Sequence, residues 1–272
     1  MNRLPLLIII MASTLWASCG SWRRNPKELH VDHSPPRSTE AIVLDRLQAT
    51  FNPMSIGKEG EYFKAKGQAQ IQVNGNQQKV RLEIRLRVNE LSPVAWFDVA
   101  DPVIGIKLAR GISDDSDVRG YAHIINRSFS ESLDRLVDAG IPFETMDIIK
   151  LLTRNPLDVP SSVVGMNLDT YSSGSNDFWK IEFPVRRGGH AGRMTLHMLN
   201  QSPYTLFAQE VEIPSMGAFA RIDYQNGQSW IIEFKGSGME GWMKFSPTQA
   251  SWDESPLSFP FKLPSGYAKV DF

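Results

Sequence analysis

The residue with the clearest chemical potential is Cys19, the single cysteine of this 272-residue chain. It follows a basic start at Arg3, an apolar run over residues 4–11, and the small residues Ala17 and Ser18. A basic start, an apolar run too short to span a bilayer and small residues before a cut are typical of a secretory signal. If the cut falls before Cys19, its thiol is the natural acceptor for a diacylglyceryl group.

Residues 1–18 resemble a bacterial lipoprotein signal peptide, although Trp16 stands where leucine is usual. Two other interpretations stay open: an ordinary cleaved signal with an unmodified thiol, and an uncleaved membrane anchor. The resemblance implies a mature chain that begins at a Cys19 carrying diacylglyceryl and acyl groups such as palmitate. Acyl chains contribute about 0.8 kcal/mol per buried methylene, so several of them would hold the protein firmly to a membrane. Because Gly20 and not aspartate follows, the implied location is the periplasmic face of the outer membrane.

The composition limits the functions that the chain can have. A net charge of −1 gives no overall field that would recruit nucleic acid or an anionic membrane surface. A mature chain without a second cysteine excludes disulfides and thiolate metal clusters. The 20 glycines, the 17 prolines and the 10% of aromatic residues suit a turn-rich β protein. We predict no metal site, and no cofactor other than the covalent lipid on Cys19.

The chain divides into a tether and one domain. Residues 19–36 are rich in proline and polar residues and lack periodicity, which is typical of a flexible tether. The domain is predicted over residues 37–272. Its first element is a helix that begins near Ser38 and ends before Pro53, because apolar residues recur there at helical spacing: Val43, Leu44, Leu47 and Phe51.

The strongest structural signal is a β-hairpin over residues 63–88. Apolar and polar residues alternate strictly on both sides of Asn74-Gly75. Period-two alternation across an Asn-Gly turn predicts two antiparallel strands. One face of this hairpin is apolar and the other is charged or amide-bearing, so we expect a sheet that curves over an apolar interior.

Further strands are predicted where apolar residues alternate between turn signals: 94–99, 103–112, 118–125, 179–185, 194–198, 206–213, 218–224, 230–234 and 242–245. Helical spacing predicts two more helices, over residues 128–139 and 143–153. The predicted fold is therefore α+β. It has about ten or eleven mostly antiparallel strands, and short helices are available to cover one mouth of the curved sheet.

No motif of an enzyme is present: there is no nucleophile elbow, phosphate loop, HExxH sequence or dinucleotide fingerprint. His123 and His197 fall on predicted strands and His190 in a glycine-rich turn, which favours satisfied or exposed histidines over catalytic ones. The basic pair 186–187 is interpreted as a solvated hairpin tip. The acidic segment 114–117 is interpreted as a plain turn, since it lacks the glycine and distal glutamate of a calcium loop. We predict that the protein is not an enzyme.

The apolar interior is the candidate binding site. Its predicted lining combines aromatic side chains with adaptable methionine and leucine side chains that suit acyl chains: Phe97, Trp179, Phe183, Met194, Leu196, Met198, Phe219, Trp230 and Phe234. The sequence does not distinguish a cavity from a filled core, and both interpretations stay open.

The order of predicted elements resembles that of the LolA/LolB lipoprotein-localisation superfamily. It consists of one helix, a long hairpin meander, an inserted helix pair and further strands. More specifically, the chain resembles a family of Bacteroidetes-type lipoproteins that carry a domain of unknown function related to that superfamily. The segments that carry this resemblance are 61–66, 81–87, 95–97, 105–110 and 261–267. The resemblance covers residues 38–272 and implies an unclosed β half-barrel with a helical lid over an apolar cavity.

LolA-like carriers are soluble whereas LolB-like receptors are lipoproteins, so Cys19 favours the receptor type. The resemblance implies an outer-membrane-anchored periplasmic lipoprotein that binds acyl chains of lipoproteins or lipids. LolB-like receptors also carry an exposed apolar loop, for which segment 157–164 is a candidate. The implied partners are a membrane, lipoproteins or lipids, and possible envelope proteins, but not nucleic acid. Two alternatives stay open: a non-enzymatic structural adaptor with a filled core and, less favoured, a lipid hydrolase.

Overall fold

The computed structural model describes residues 37–51, 61–89, 91–133, 135, 144–225, 229–236 and 239–270. Within these ranges the chain forms two helices that are described from end to end and one sheet of 14 strands. The predicted signal, Cys19 and the tether lie outside the described residues, so those interpretations stay predictions. None of the described helices is both long enough and apolar enough to cross a membrane.

Helix α1 spans Arg37–Thr50 and helix α2 spans Thr145–Leu152. The strands, in chain order, are β1 Tyr62–Val73, β2 Asn76–Arg87, β3 Val94–Ala100, β4 Lys107–Ser113, β5 Asp117–Ala122, β6 Arg127–Ser132, β7 Asn167–Ser173, β8 Asn176–Arg187, β9 His190–Leu199, β10 Leu206–Ile213, β11 Ala218–Tyr224, β12 Trp230–Gly236, β13 Met239–Asp253 and β14 Ala268–Lys269. A short 3-10 turn, Pro214–Met216, joins β10 to β11.

The predicted hairpin is confirmed as β1 and β2, which pair from Val73 opposite Asn76 to Tyr62 opposite Arg87. Asn74 and Gly75 have φ angles of 46° and 81°. Positive φ at both central residues is the type I′ turn, whose twist matches that of the two strands, and Asn-Gly is the sequence that adopts it best. The turn thereby fixes the register that points one side chain in two toward the core.

The sheet is mostly antiparallel and unclosed. Its strand order is β14-β6-β5-β4-β3-β2-β1-β13-β12-β11-β10-β9-β8-β7. Only the β14–β6 pairing among the described pairs is parallel. The long strand β13 pairs with β1 and so joins the two halves of the chain into one sheet.

The sheet curls around helix α2. The helix contacts β4 through Thr145 and Ser113, and β8 through Asp147 and Arg187. These strands are fourth and thirteenth in the sheet order. In a flat sheet they would lie roughly 43 Å apart, at about 4.8 Å per strand. An eight-residue helix is only about 12 Å long, so both contacts require the sheet to bend through a deep curve.

The concave side of the sheet holds the core. Inward side chains from the strands of both halves form one apolar cluster with residues of both helices, among them Val43 and Leu47 of α1, which are fully buried. Alternation continues across the sheet, so the convex side carries most of the charged side chains. We call these the inner and outer faces of the sheet.

The segment before β14 crosses the outer face and covers β3. Phe259 and Phe261 pack against the cluster of Val94, Trp96 and Ile112. The carbonyl of Pro260 accepts hydrogen bonds from Trp96 Nε1 (3.2 Å) and Arg110 Nη1 (3.1 Å). Strand β3 is consequently buried on both faces. We call residues 255–270 the C-terminal strap, since this segment crosses the sheet and then adds β14 beside β6.

Two sequence predictions of local structure were wrong. The helix predicted over residues 128–139 is wrong for residues 128–132, which belong to strand β6, because the tight turn at Asn126 (φ 49°) returns the chain alongside β5. Leu133 and Arg135, which follow β6, are helical. The strand predicted over residues 103–112 begins only at Lys107. The sheet has three strands beyond those predicted: β6, the polar edge strand β7 and the two-residue β14. The last two lack apolar alternation, so period-two analysis misses them.

Candidate functional site

The inner face brings together eight of the nine side chains predicted to line the interior. Each of the eight is at most 4% exposed and belongs to the apolar core cluster: Phe97, Trp179, Phe183, Met194, Leu196, Met198, Trp230 and Phe234. Phe219 is the exception. It lies between Ala218 and Ala220, which both face the core, so strand alternation places its partly exposed ring on the outer face.

Helix α2 covers part of this inner face because its sequence is amphipathic. Its buried apolar residues are Ile148, Ile149, Leu151 and Leu152. Glu144 precedes the first turn and forms a capping box with Asp147, whose Oδ2 accepts the Glu144 backbone N–H at 2.9 Å. This reciprocal cap satisfies amide groups that a helix start otherwise leaves unpaired, and it explains why the helix begins at Thr145.

Polar side chains of the sheet hold α2 at both ends. At its start, Thr145 donates to the carbonyl of Asp114 and hydrogen-bonds Ser113, both at 2.5 Å. At its end, the Tyr224 hydroxyl donates to the carbonyl of Leu151 at 2.8 Å. Burial raises the pKa of Tyr224, so this hydroxyl stays a neutral donor.

Gln209 extends the second attachment. Its Oε1 accepts the Leu157 backbone N–H at 2.9 Å, and its Nε2 donates to the Asn155 carbonyl and the Tyr224 hydroxyl. Gln209 is only 1% exposed, and buried amides need such partners to offset their lost hydration. The contact therefore ties the segment that follows α2 to strand β10.

Arg187 supplies a third attachment and was wrongly interpreted as part of a solvated hairpin tip. Its guanidinium donates to both carboxylate oxygens of Asp147 at 2.7 Å and to Asp158 at 2.5 Å. The Arg187 and Asp147 side chains are 11% and 4% exposed. Burial alone would lower the pKa of Arg187, but the two carboxylates raise it above its ordinary value. A permanently charged residue of β8 thus anchors the helix start.

A small void lies beneath α2. It measures about 10 Å³ and is lined mainly by apolar side chains of α2, the segment after it, and β10 to β12: Leu151, Leu157, Val211, Ala220, Ile222 and Ile232. Ligand sites in proteins are usually about 300–1,000 Å³. An acyl chain can therefore occupy this part of the interior only if α2 moves away from the sheet.

Helix α1 covers a different part of the inner face. Its Arg46 guanidinium lies 5.6 Å from the Trp179 ring and 5.2 Å from the Tyr204 ring, within the range of cation–π attraction. Gln48 Nε2 donates to the carbonyl of Pro160 at 3.0 Å. Trp179, one of the predicted lining residues, is thus partly shielded by α1.

An exposed apolar loop lies between β3 and β4. Val103, Ile104 and Ile106 are 89%, 69% and 59% exposed. The carboxylate of Asp101 accepts the backbone N–H groups of Val103 (2.8 Å) and Ile104 (2.9 Å). These bonds, Ile104 first, lower the pKa of Asp101. We call residues 101–106 the β3–β4 loop, and its turn presents apolar side chains to the surroundings.

The predicted apolar loop at 157–164 is only partly exposed. Leu157 is buried at 1% exposure, whereas Val163 and Val164 are 39% and 82% exposed. The β3–β4 loop was missed because its apolar residues extend the pattern of the following strand. Its Asp-Pro start and Gly105, which has a φ of 72°, are turn signals that mark it.

Comparisons with known proteins give the fold but no family. No protein-family model matches the sequence, and no curated protein matches it significantly. A domain from Vibrio parahaemolyticus provisionally assigned to outer membrane lipoprotein sorting matches with a TM-score of 0.50 and 9% identity, over 79% of this chain and 93% of that one. The chain has a LolA-like fold.

Two further solved structures are similar at lower scores. A DUF1329 family protein from Desulfovibrio piger has a TM-score of 0.46 and 9% identity, over 81% of this chain and 94% of that one. An uncharacterized conserved protein from Thermus thermophilus has a TM-score of 0.33 and 10% identity, over 85% and 98%. The closer resemblance to Bacteroidetes-type lipoproteins stays a prediction.

Proposed function

We propose that the protein is a lipid-anchored lipoprotein on the periplasmic face of the outer membrane. In this proposal it binds acyl chains of lipoproteins or lipids under helix α2, as a LolB-like receptor, and catalyses no reaction. Cys19 carries the lipid and residues 19–36 form the tether. The observation that carries the proposal is the placement of α2, an amphipathic helix attached by polar side chains over an apolar inner face. The LolA-like fold supports the class of ligand.

The free energy gained by burying an acyl chain is similar in size to the free energy lost when α2 leaves the sheet. Burying a chain of about 15 methylenes contributes roughly 12 kcal/mol, at about 0.8 kcal/mol for each. Exposing the four buried apolar side chains of α2 costs about 1.5–3 kcal/mol each. Each broken hydrogen bond adds about 1 kcal/mol. Because gain and cost are of similar size, binding and release both remain accessible without covalent chemistry.

The void of about 10 Å³ favours one alternative. If α2 never leaves the sheet, this part of the interior is a filled core. The protein would then act as a non-enzymatic adaptor that presents its outer surface to another envelope protein. The two proposals differ in one measurable property, which is uptake of an acyl chain.

Native mass spectrometry of the lipid-free chain, residues 20–272, tests the proposed function. The chain is produced in cells and purified gently. A co-purifying mass that extraction identifies as fatty acid, phospholipid or lipopeptide supports acyl binding and names the ligand class. A ligand-free mass together with no binding of an acyl-chain fluorophore would favour the adaptor.

Locking α2 to the sheet should abolish acyl binding. The Ser113 and Thr145 side-chain oxygens are 2.5 Å apart, close to a disulfide's sulfur separation of about 2.05 Å. We expect the oxidised S113C/T145C variant of residues 20–272 to lose fluorophore uptake and to regain it on reduction. The chain has no cysteine besides Cys19, so the new pair is unambiguous. Each single variant is the control, and uptake by the oxidised double variant would contradict movement of α2.

The β3–β4 loop is proposed to contact the membrane during transfer. Replacing both Val103 and Ile104 with serine should weaken binding of residues 20–272 to phospholipid vesicles about tenfold, since about 1.4 kcal/mol of lost apolar burial has that effect. Vesicle flotation measures it. Leu91 is 90% exposed and lies before β3, whereas the loop follows β3, so Leu91→Ser is the matched control. Equal losses in both variants would argue against a role for this loop.

A further inference from the structure

A polar cleft lies on the outer face, beside the β3–β4 loop. Its volume is about 330 Å³, and its charged lining comes from β1, β2, β3 and the start of β4: Lys66, Arg81, Glu83, Asp98 and Lys107. The cleft belongs to the opposite side of the sheet from the apolar site under α2. Neither the lipid anchor nor acyl binding uses it.

The carboxylates of the cleft are already engaged by several cations. Glu83 pairs with Lys64, Lys66 and Arg85. Asp98, which is 4% exposed, pairs with Lys107 and Arg110. With Arg81, six cations surround two carboxylates, so the region is strongly positive although the whole chain has a net charge of −1. The cleft therefore has spare positive charge for an anionic ligand.

Two of these cations are further occupied by the C-terminal strap. Arg85 Nη1 donates to the Ser258 carbonyl at 2.7 Å, and Arg110 Nη1 donates to the Pro260 carbonyl at 3.1 Å. Arg81 differs, since it is exposed and has no hydrogen bond or ion pair with any described residue. The pKa of Lys107 reflects this concentration of positive charge. It is lowered by burial first, and then by the charges of Arg110, Arg81 and Lys66, while the Glu83 carboxylate raises it.

The unpaired guanidinium lies against the apolar loop. Arg81 Nη2 is 3.5 Å from the position that a Cβ atom on Gly105 would occupy. Lys107 follows Ile106 directly in the chain. Exposed apolar side chains and an unpaired guanidinium therefore meet at one edge of the outer face. Apolar residues flanked by Lys and Arg are the combination that binds an anionic bilayer surface.

We propose that Lys66, Arg81 and Lys107 form a binding site for the phosphate group of an anionic phospholipid in a bilayer. The guanidinium of Arg81 supplies donors that match phosphate oxygens, and the two ammonium groups add charge. Val103 and Ile104 lie among the acyl chains while the phosphate occupies the cleft. This inference rests on the proposed membrane contact of the β3–β4 loop and adds the headgroup class.

Vesicle flotation of residues 20–272, which retain every described helix and strand, tests the site. The probes are vesicles of phosphatidylcholine alone and of phosphatidylcholine with a minority of phosphatidylglycerol. We expect tighter binding to the second, and about fivefold weaker binding for Arg81→Gln, the effect of one cation near an anionic surface. Lys235→Gln removes the same charge from an exposed position of β12 and is the control. Unchanged melting temperatures show that both variants are folded.

Three outcomes would overturn the site. One is equal binding to both vesicles, and another is equal loss in Arg81→Gln and Lys235→Gln, which would indicate a diffuse charge effect. The third concerns the source of the phosphate. If inorganic phosphate raises the melting temperature of the unmodified chain but not that of Arg81→Gln, and phosphatidylglycerol adds nothing to vesicle binding, the cleft takes a free phosphate and not a bilayer headgroup.

The headgroup site and acyl binding fail separately. Acyl-chain fluorophore uptake by Arg81→Gln should equal that of the unmodified chain, because Arg81 lies on the outer face. Suppose that neither chain takes up the fluorophore, while Arg81→Gln still binds vesicles with phosphatidylglycerol more weakly than the unmodified chain does. Acyl binding then fails and the headgroup site stands. If both chains take up the fluorophore and bind these vesicles equally well, the headgroup site fails and acyl binding stands.

Discussion

Replacing Arg187 with alanine is expected to lower the free energy of unfolding by about 3–5 kcal/mol, the usual cost of removing one partner from a buried ion pair. Asp147, with a side chain 4% exposed, would lose both of its hydrogen bonds from the guanidinium. Its carboxylate would remain buried at the first turn of α2, where it also caps the helix. A domain of this size is stable by only about 5–15 kcal/mol, so the loss is a large share of the total.

Arg186 provides the matched control for this prediction. It is the preceding residue of β8, it is exposed, and no ion pair of it is found among the described residues. Arg186→Ala should change the free energy of unfolding by no more than about 0.5 kcal/mol, as is usual for surface substitutions. Denaturant unfolding of both variants measures the difference. Equal effects would mean that the Arg187 ion pair contributes nothing to the attachment of α2.

The same variant probes the proposed movement of α2. If Arg187 holds the helix start, its removal favours the open position even where the rest of the sheet stays folded. Hydrogen exchange should then speed up at the α2 amides more than at the amides of the β1–β2 hairpin. Equally faster hydrogen exchange at all amides of the sheet would instead show that the substitution lowers the stability of the whole domain.

Local patterns in the sequence predict the strands well where apolar and polar side chains alternate and a turn sequence marks the end of the strand. The β1–β2 hairpin could be placed because alternation and an Asn-Gly turn agree, and both act over a few residues. The same alternation identifies the inner face, including eight of the nine proposed lining residues. Phe219 was misassigned because aromatic character was given more weight than its position between two inward alanines.

Features set by distant contacts could not be predicted in this way. Arg187 has the sequence context of a hairpin tip, and only the curl of the sheet brings Asp147 and Asp158 to it. Residues 128–132 have helical spacing, but pairing with β5 and β14 makes them a strand. The width of the void under α2 depends on how side chains from separate elements pack, which a linear pattern does not encode.

At the β3–β4 loop and at the cleft, the structure also differs from what the sequence predicts. Apolar residues at 103–106 continue the alternation of β4, so a period-two pattern favours a buried strand. In the structure Asp101 closes a turn that exposes them. The net charge of −1 likewise conceals a positive region, because the carboxylates that balance its cations lie elsewhere in the chain. Averages over a chain exclude a global field but not a local one.

Replacing Cys19 with serine is expected to remove the protein from the membrane fraction. A single acyl chain gives only marginal membrane binding, with an association constant of about 10⁴ M⁻¹, whereas several chains give stable anchoring. The β3–β4 loop and the basic cleft would add only weak, salt-sensitive binding once the lipid is absent. Fractionation of cells that produce the full-length chain measures the change, and Ser21→Ala is a control beside the same site.

The mass of the N-terminus decides between the three interpretations of the signal. An acylated Cys19 at the start of the unmodified mature chain agrees with the anchor, and an unmodified thiol would refute it. An N-terminus at Met1 would instead identify an uncleaved anchor. In the serine variant, membrane retention of a chain that begins after the signal would show that contacts of the folded domain hold it there. The headgroup site would then have to be far stronger than one unpaired arginine and two lysines allow.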